Sequence, residues 1–305
     1  MFKKEIKKLI SNIQKPSKIL NVDVVFEGGA FNGTYHLGVC YFLKELEKQK
    51  YIKINRISGT SIGAIIGMCY LLDKLHYYYK CDKLMRKHWK NELNVFLLNN
   101  MFDDLLKDYN DQDIINIFNN KFFITFNDIS KKETTIIQNY NNKQELKNAI
   151  INTSYIPFIS GKNVCNNNLY FDGIIPFIFN DRNNNNNKDI LYLNINNFNI
   201  IKDIFHISNE TTNYGRILHG ILQCYNLFNY NKNNNMCSFI SKWSFTDFIV
   251  IRIKQYISTF IPNFVFLLNF LSGYIHPLLQ NIQLYNNLYN VSSQLLNDFL
   301  LFYFL

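Results

Sequence analysis

A serine between two glycines, at a spacing typical of acyl-transfer enzymes, lies near the start of the chain. Residues 59–63 read Gly-Thr-Ser-Ile-Gly, which fits the nucleophile-elbow pattern G-x-S-x-G. In such an elbow the serine occupies a strained turn between a strand and a helix, so small residues are needed two positions away. Gly59 and Gly63 meet that need. The same pattern is also typical of a tight turn in which Ser61 merely caps a helix.

A second group of small residues lies about thirty positions upstream, again where a strand would pass into a helix. Residues 27–33 read Glu-Gly-Gly-Ala-Phe-Asn-Gly. Clustered glycines let backbone N–H groups converge on an anion, either a phosphate or the oxyanion of an acyl-transfer intermediate. The spacing of Gly28, Gly33 and Gly38 does not match G-x-G-x-x-G, and no P-loop Lys-Ser/Thr follows, which argues against a phosphate-bearing cofactor.

An aspartate followed by glycine, Asp172-Gly173, comes directly after the short strand pattern Leu169–Phe171. A carboxylate on a tight turn at the carboxyl edge of a sheet can reach a neighbouring elbow and act as a general base. Asp-Gly is also a common turn, so this pair alone identifies no site.

The elements that must position these residues follow from strand, turn and helix patterns. Strands at 22–26 and 52–58 each pass through a glycine turn into a helix, at 33–49 and 64–75. Two such units predict an α/β fold of three layers, with a mostly parallel sheet flanked by helices. Other patterns predict mainly helix at 76–120, a hairpin at 121–140, helices at 143–152 and 215–227, and strands at 190–195 and 248–253. The five asparagines at 183–187 predict a surface loop over 180–188.

The three motifs together resemble those of the patatin-like phospholipase family. That family carries a loop G-G-G-x-[RK]-G, then G-x-S-x-G, then D-G-[GA], matched in the same order by residues 28–33, 59–63 and 172–173. Residues 33–39 (GTYHLGV) look like the family's first helix start, and Ala149–Pro157 (AIINTSYIP) is similar to its A-S-x-x-I-P segment. The resemblance covers about residues 22–195 and implies the family's fold.

This resemblance implies a lipid acyl hydrolase of the phospholipase A or lysophospholipase type. It makes Ser61 the nucleophile and Asp172 the general base, with no histidine, metal or cofactor required. The oxyanion-binding loop would contain Gly28, Gly29, Ala30, Asn32 and Gly33, and the turns would depend on Gly59, Gly63 and Gly173. A triad hydrolase would instead need a histidine after the aspartate, for which His206, His219 and His276 are available.

Three residues depart from the family's pattern. Ala30 replaces the third loop glycine, Asn32 stands where arginine or lysine is usual, and Ile174 follows Asp-Gly where a small residue is usual. The last two keep a second hypothesis open, in which the protein is a catalytically impaired relative that binds membranes or acyl lipids.

Positive charge is concentrated at the N-terminus. The net charge is +9, and residues 1–18 hold six lysines against one glutamate. The remaining excess is scattered, without an arginine-rich helix or an RNP-like strand, so no nucleic-acid partner is expected. The arm at 1–20 is predicted either to bind an anionic membrane surface or to pack on the domain through its apolar residues, which are Phe2, Ile6, Leu9, Ile10 and Ile13.

Cysteine and histidine usage predicts no metal site. The six cysteines form no C-x-x-C pair, the six histidines form no ligand cluster, and the N-terminus lacks the apolar run of a secretory signal. We therefore expect reduced thiols and a cytoplasmic protein that is peripheral to membranes.

The C-terminal part of the chain lacks charge and is rich in aromatic residues. Residues 255–297 contain no Asp, Glu, Lys or Arg. Tyr256–Ile275 has spanning length but includes Pro262, so a transmembrane helix, interfacial docking and ordinary core packing all stay open. We divide the chain into the arm at 1–20, an acyl hydrolase domain at 21–254 and a helical tail at 255–305. The expected partners are a lipid ester substrate and a membrane surface, and no oligomeric state is predicted.

Overall fold

The structure is a computed structural model of the 305-residue chain. It describes residues 2–89, 97–157, 160, 164–180, 189–195, 210–270 and 282–283. The asparagine run at 183–187 and nearly all of the tail after residue 270 lie outside these ranges, so the predictions made for them are not addressed.

Nine helices and seven strands position the candidate residues within the described ranges. The strands are β1 (Leu20–Phe26), β2 (Ile52–Gly59), β3 (Phe122–Asp128), β4 (Glu133–Ile137), β5 (Tyr170–Asp172), β6 (Asp189–Leu193) and β7 (Cys237–Phe239). The helices are α1 (Lys3–Ile10), α2 (Gly33–Lys48), α3 (Ile62–Leu71), α4 (Leu75–Trp89), α5 (Leu97–Leu106), α6 (Asp111–Phe118), α7 (Lys143–Ser154), α8 (Glu210–Tyr230) and α9 (Phe245–Phe270).

The strands form one mixed sheet in the order β4-β3-β2-β1-β6-β7, with β5 also paired to β3. The four central strands β3, β2, β1 and β6 are parallel, whereas β4 and β5 pair antiparallel with β3, and β7 with β6. The α/β fold expected from the two strand–turn–helix units is confirmed, as is the hairpin predicted at 121–140, which is β3–β4. The antiparallel strands make the sheet less uniformly parallel than the sequence predicted.

The two faces of the sheet are covered by different elements. Because side chains alternate along a strand, Val24 of β1 packs in the main core, whereas its neighbour Val25 faces the other way. The main core contains side chains from α2, α3, α7 and α8. On the second face, Val25 packs with Phe179 and with Ile251 of α9. The sheet therefore lies between helices, as the middle of three layers.

Glycines bring α2 and α8 into backbone contact on the main face. A Cβ atom added at Gly38 would lie 2.0 Å from the Ile217 carbonyl oxygen, and one added at Gly220 would lie 2.2 Å from the Tyr35 carbonyl oxygen. No side chain fits at either distance, so the two helices depend on glycine at both crossing points. This contact matters for the site because α2 begins at the end of the glycine loop.

The N-terminal arm packs on the domain. Phe2, Ile6, Ile10 and Ile13 are buried in the main core. The six lysines of the arm are exposed. Of the two alternatives for this arm, the described contacts favour the amphipathic helix that packs on the domain.

The strand predicted at 248–253 is wrong, because these residues lie within α9. The run Phe-Ile-Val-Ile-Arg-Ile has high β-propensity, but a capping motif precedes it. The Ser244 N–H donates to Asp247 Oδ2 at 2.8 Å, and the Asp247 N–H donates to Ser244 Oγ at 3.3 Å. This reciprocal pair satisfies backbone donors at a helix start, and it overrides the strand preference of the residues that follow.

No helix in the described part of the chain combines the length and hydrophobicity that a membrane crossing requires. The segment weighed as a crossing, 256–275, lies partly in α9 and partly outside the described residues. The division of the chain at residues 20 and 254 stays a prediction, and α9 runs across the second of these boundaries.

We expect Gly220→Ala to destabilise the protein by about 1–3 kcal/mol, because the added methyl group collides with the α2 backbone. Gly215→Ala is the matched control on the same helix. A Cβ atom there meets nothing within 4 Å, so helix propensity alone should stabilise the protein by up to about 1 kcal/mol. Urea unfolding of both variants measures the difference, and equal effects would contradict the close α2–α8 contact.

Candidate active site

The two glycine turns predicted to do chemistry lie side by side at one edge of the sheet. β1 and β2 are parallel neighbours, and their last residues, Phe26 and Gly59, pair with each other. The turns that follow the two strands therefore lie next to each other at the same end of the sheet. A Cβ atom added at Gly28 would lie 3.2 Å from the Cβ of Ser61, so the glycine loop packs directly on the serine turn.

Ser61 occupies a strained backbone conformation between β2 and α3. Its φ is 52° and its ψ is −129°, in a region that residues other than glycine rarely adopt. A Cβ atom at Gly63 would lie 2.5 Å from the Phe26 carbonyl oxygen, and one at Gly59 would lie 2.7 Å from the Ala64 nitrogen. These contacts explain why both glycines are required. This backbone differs from that of an ordinary helix cap, and no side-chain capping bond from Ser61 is present.

β3 brings Asp172 to the serine. Along one edge of β3, Ile124 pairs with Gly59 of β2, and two residues later Phe126 pairs with Asp172 of β5. β4 occupies the opposite edge over the same residues. β5 therefore continues along β3 where β2 ends, and the end of β5 meets the start of the serine turn.

Hydrogen bonds hold both the side chain and the backbone of Asp172. Its carboxylate Oδ1 accepts from the Ile174 N–H at 2.7 Å and from the Thr60 hydroxyl at 3.4 Å. Its backbone N–H donates to the Tyr155 carbonyl at 2.8 Å, and its carbonyl accepts from the Asn127 amide at 2.6 Å. Side-chain rotation would break the first two bonds, so the carboxylate is held in one orientation.

The environment of Asp172 changes its acidity. Burial raises the pKa of the carboxyl to about 6, and hydrogen bonds from the Ile174 N–H and from the Ser61 and Thr60 hydroxyls act against that rise. The residue keeps some exposed surface, while its carboxyl group is enclosed by protein atoms. The serine turn and the Asp172 carboxylate thus lie next to each other at the end of β3.

A threonine cluster supports this pair and was missed from the sequence. The Ser61 N–H donates to Thr153 Oγ1 at 2.9 Å, and Thr153 Oγ1 lies 3.0 Å from Thr60 Oγ1. The Thr153 hydroxyl in turn donates to the carbonyl of Thr125 on β3. The signal was the segment Ala149–Pro157, which was noticed only as sequence context and contains Thr153 at the end of α7.

The departures from the expected motif have structural roles. The buried side chain of Asn32 donates from Nδ2 to the Ile195 carbonyl at 3.1 Å, which ties the glycine loop to the segment after β6. Ala30 has φ 41° and Ile174 has φ 64°, both in the left-handed region. Glycine at either position would avoid this strain.

His36 and His219 have other hydrogen-bond partners. His36 Nε2 lies 2.9 Å from the Glu27 carbonyl oxygen, and burial lowers the pKa of His36 to about 4, so the ring is neutral at physiological pH. His219 lies on α8, where its Nε2 is 3.1 Å from the Gln223 amide and its ring packs against Tyr35. His206 and His276 lie outside the described residues.

Comparison with known families agrees with the site. A family model described as patatin-like phospholipase matches residues 24–177, a range that contains the glycine loop, the serine turn and the Asp-Gly turn. The search of curated proteins found no match.

We expect the free energy of unfolding of the wild-type protein to include a pH-dependent contribution from Asp172. Its folded-state pKa of about 6 is above the reference value of 3.8, so the contribution is fully favourable below about pH 4 and is lost as pH rises through 6. Asp172→Asn removes this loss, and the variant should gain stability relative to wild type between pH 4 and pH 7, by at most about 3 kcal/mol.

Urea unfolding at pH 4, 5, 6 and 7 measures this relative gain. Asp108→Asn is the control, because the Asp108 side chain is 65% exposed. A stability difference between wild type and Asp172→Asn that does not change with pH would show that the carboxyl titrates normally.

Proposed function

The chain belongs to the patatin-like phospholipase family, and from this premise we propose that it is an acyl hydrolase that cleaves carboxylic esters of phospholipids or lysophospholipids through Ser61 and Asp172. The family itself indicates lipid acyl hydrolase activity. The observation that carries the finer proposal is the position of the enclosed Asp172 carboxylate at the serine turn, where its Oδ1 lies 3.4 Å from the hydroxyl of Thr60, the residue before Ser61, beside a glycine loop that packs on Ser61.

The reaction begins when the Ser61 oxygen attacks the ester carbonyl and Asp172 takes the hydroxyl proton. Backbone N–H groups of the loop at 28–33 hold the tetrahedral oxyanion, and the protonated Asp172 then gives its proton to the departing alcohol. Water attacks the acyl group on Ser61, with Asp172 again taking a proton. The carboxylic acid leaves, and the Ser61 hydroxyl regains its proton from Asp172.

The raised pKa of Asp172 suits this role. An aspartate near its ordinary pKa is a poor base for an alcohol, and a value of about 6 makes the carboxylate more basic while leaving most of it ionised at pH 7. The threonine cluster of Thr60, Thr125 and Thr153 supports the proposal further, because it links the serine turn to the strand on which Asp172 is held.

The alternative of an impaired relative gains no support from the contacts of the two unusual residues. Ile174 contributes its backbone N–H to the Asp172 carboxylate, and that bond does not depend on the size of its side chain. Asn32 uses its amide to hold the loop. A serine-reactive fluorophosphonate separates the two hypotheses, because only the enzyme should be labelled at Ser61.

We expect Ser61→Ala and Asp172→Asn each to lower the hydrolysis of a phospholipid or lysophospholipid by about a thousandfold or more. His219→Ala, the control for a triad, should keep most of the activity. In the wild-type protein, kcat/KM should fall about tenfold per pH unit below pH 6, because the base must be ionised. Retained activity in Asp172→Asn with loss in His219→Ala would replace the dyad by a triad.

The membrane surface is the partner that we propose for α9. The helix exposes a row of large apolar side chains, which are Phe245, Phe248, Ile249, Val250, Ile253, Tyr256, Ile257, Phe260, Phe264, Phe266, Leu267 and Phe270. From Gln255 onward the helix contains no charged residue. An exposed aromatic surface of this extent is typical of helices that lie in the headgroup region of a bilayer, where a lipid ester is also found.

The side of α9 that faces the domain contacts residues next to the glycine loop and next to Asp172. Lys254 Nζ contacts Glu27 Oε1 at 2.7 Å, directly before the glycine loop. Farther along the helix, Ile261 and Val265 pack in a cluster with Phe171, the residue before Asp172. Docking of the exposed side on a membrane would therefore hold the site close to lipid substrate.

We expect Phe260→Glu to weaken binding to phosphatidylcholine/phosphatidylserine vesicles by about tenfold, because a charge is placed in the interfacial surface. Tyr230→Glu on α8 is the matched control, since both side chains are 69% exposed. Vesicle sedimentation measures binding, and a soluble short-chain ester measures catalysis, which neither change should alter. If the two variants bind vesicles equally well, α9 is not the docking helix; concentration-dependent dimers that only Phe260→Glu abolishes would make a second copy its partner.

A further inference from the structure

Two buried arginines converge on the glycine loop from outside the motif. Arg86 of α4 donates from Nη2 to the Phe31 carbonyl at 2.8 Å, and Arg216 of α8 donates from Nη1 to the same oxygen at 3.1 Å. The two residues are 7% and 4% exposed. One loop carbonyl thus receives hydrogen bonds from two cations that lie on different helices.

Further contacts fix the two guanidinium groups. Asp82, which is 1% exposed, accepts from Arg86 Nε at 2.9 Å and from the Asn213 amide at 3.3 Å. The Arg86 guanidinium lies 4.9 Å from the centre of the Phe31 ring, and that of Arg216 lies 5.7 Å from the centre of the Tyr35 ring. Planar groups held in this way have little rotational freedom, so the carbonyl that they bind is held as well.

The loop that they hold is strained. Ala30 has φ 41°, and the next residues form a tight turn in which the Asn32 N–H donates to the Gly29 carbonyl at 2.9 Å. A residue in this conformation persists only where surrounding contacts outweigh its cost. The Phe31 carbonyl belongs to the same turn, so fixing it fixes the orientation of the N–H groups around it.

The arginines also bring positive charge to a loop that has none of its own. Residues 28–33 contain no charged side chain, and the position of Asn32, which carries arginine or lysine in the family's pattern, is neutral. Guanidinium groups in a buried site favour the negative charge that develops on an ester oxygen during attack.

We propose that Arg86 and Arg216 are positioning residues that clamp the Phe31 carbonyl and so hold the glycine loop in its oxyanion-binding arrangement. Asp82 and Asn213 orient the clamp through their hydrogen bonds. This inference rests on the proposed function of Ser61 and takes it further, since it names the groups that replace the missing loop cation.

The test compares Arg216→Lys, Arg216→Met and Arg86→Lys with Arg56→Lys. Arg56 is the matched control, because it pairs with the buried Asp23 on β1, away from the loop. We expect the loop variants to lower kcat for a soluble ester by about tenfold to a hundredfold, with KM changed less than twofold and with methionine worse than lysine. Fluorophosphonate labelling of Ser61 should slow by a similar factor, whereas Arg56→Lys should keep wild-type rates.

A double variant tests the connection with loop strain. Ala30→Gly relieves the unfavourable φ, so a relaxed loop should depend less on the clamp. We therefore expect Arg216→Lys to lower kcat by a smaller factor in the Ala30→Gly background than in wild type. If Arg216 had a purely structural role, its substitution would lower kcat by the same factor in both backgrounds.

Several outcomes would overturn the clamp. Wild-type kcat and labelling rates in both Arg86→Lys and Arg216→Lys would do so, as would equal losses in Arg56→Lys. A loss of kcat that matches the unfolded fraction measured by urea unfolding would also do so. Failure of the proposed function looks different, because Ser61→Ala would then keep activity or Ser61 would resist labelling, and the clamp would fall with it.

Discussion

The pairing of β3 with two successive strands along one edge is the constraint on which the site depends. β2 pairs with β3 as far as Gly59 and Ile124, and β5 takes over at Asp172 and Phe126. Two residues of β3 span only about 7 Å, so the serine turn and the aspartate cannot lie far apart. Because this spacing is set by backbone hydrogen bonds, it does not depend on the flexibility of any side chain.

That arrangement is unfavourable in free energy for a buried charge and for two backbone conformations, and hydrogen bonds offset part of this effect. It puts a carboxylate where burial disfavours its charge, and Ser61 and Ile174, in the turns after β2 and β5, have left-handed φ values. An ionised group can be held in such a place only where donors surround it. The Ile174 N–H and the Thr60 hydroxyl are such donors, so Ile174, whose own backbone is strained, also holds the carboxylate.

The sequence predicted the parts of the site that local pattern encodes. The serine elbow, the glycine loop and the Asp-Gly turn each combine residue types with a fixed short spacing, so all three could be recognised and placed at strand ends. Arg86 and Arg216 could not be found in this way, because they lie 55 and 185 residues from the carbonyl that they bind. Thr153 was similarly hidden, since its partner Ser61 is 92 residues away. The wrong prediction at 248–253 had a local cause instead, because the capping pair Ser244 and Asp247 outweighs the β-propensity of the residues that follow.

The apolar side chains of α1 face the core, whereas many of those of α9 are exposed. This difference determines which helix could contact a membrane. In α1 the apolar side chains Ile6 and Ile10 are buried in the core, so insertion of this helix into a bilayer would require it to leave the domain. Its lysines would act only through charge, which is screened over about 8 Å in physiological salt. In α9 the apolar side chains already face outward, and Lys254 anchors the helix to Glu27. Apolar contact with lipid would therefore come from α9, and attraction to anionic headgroups from α1.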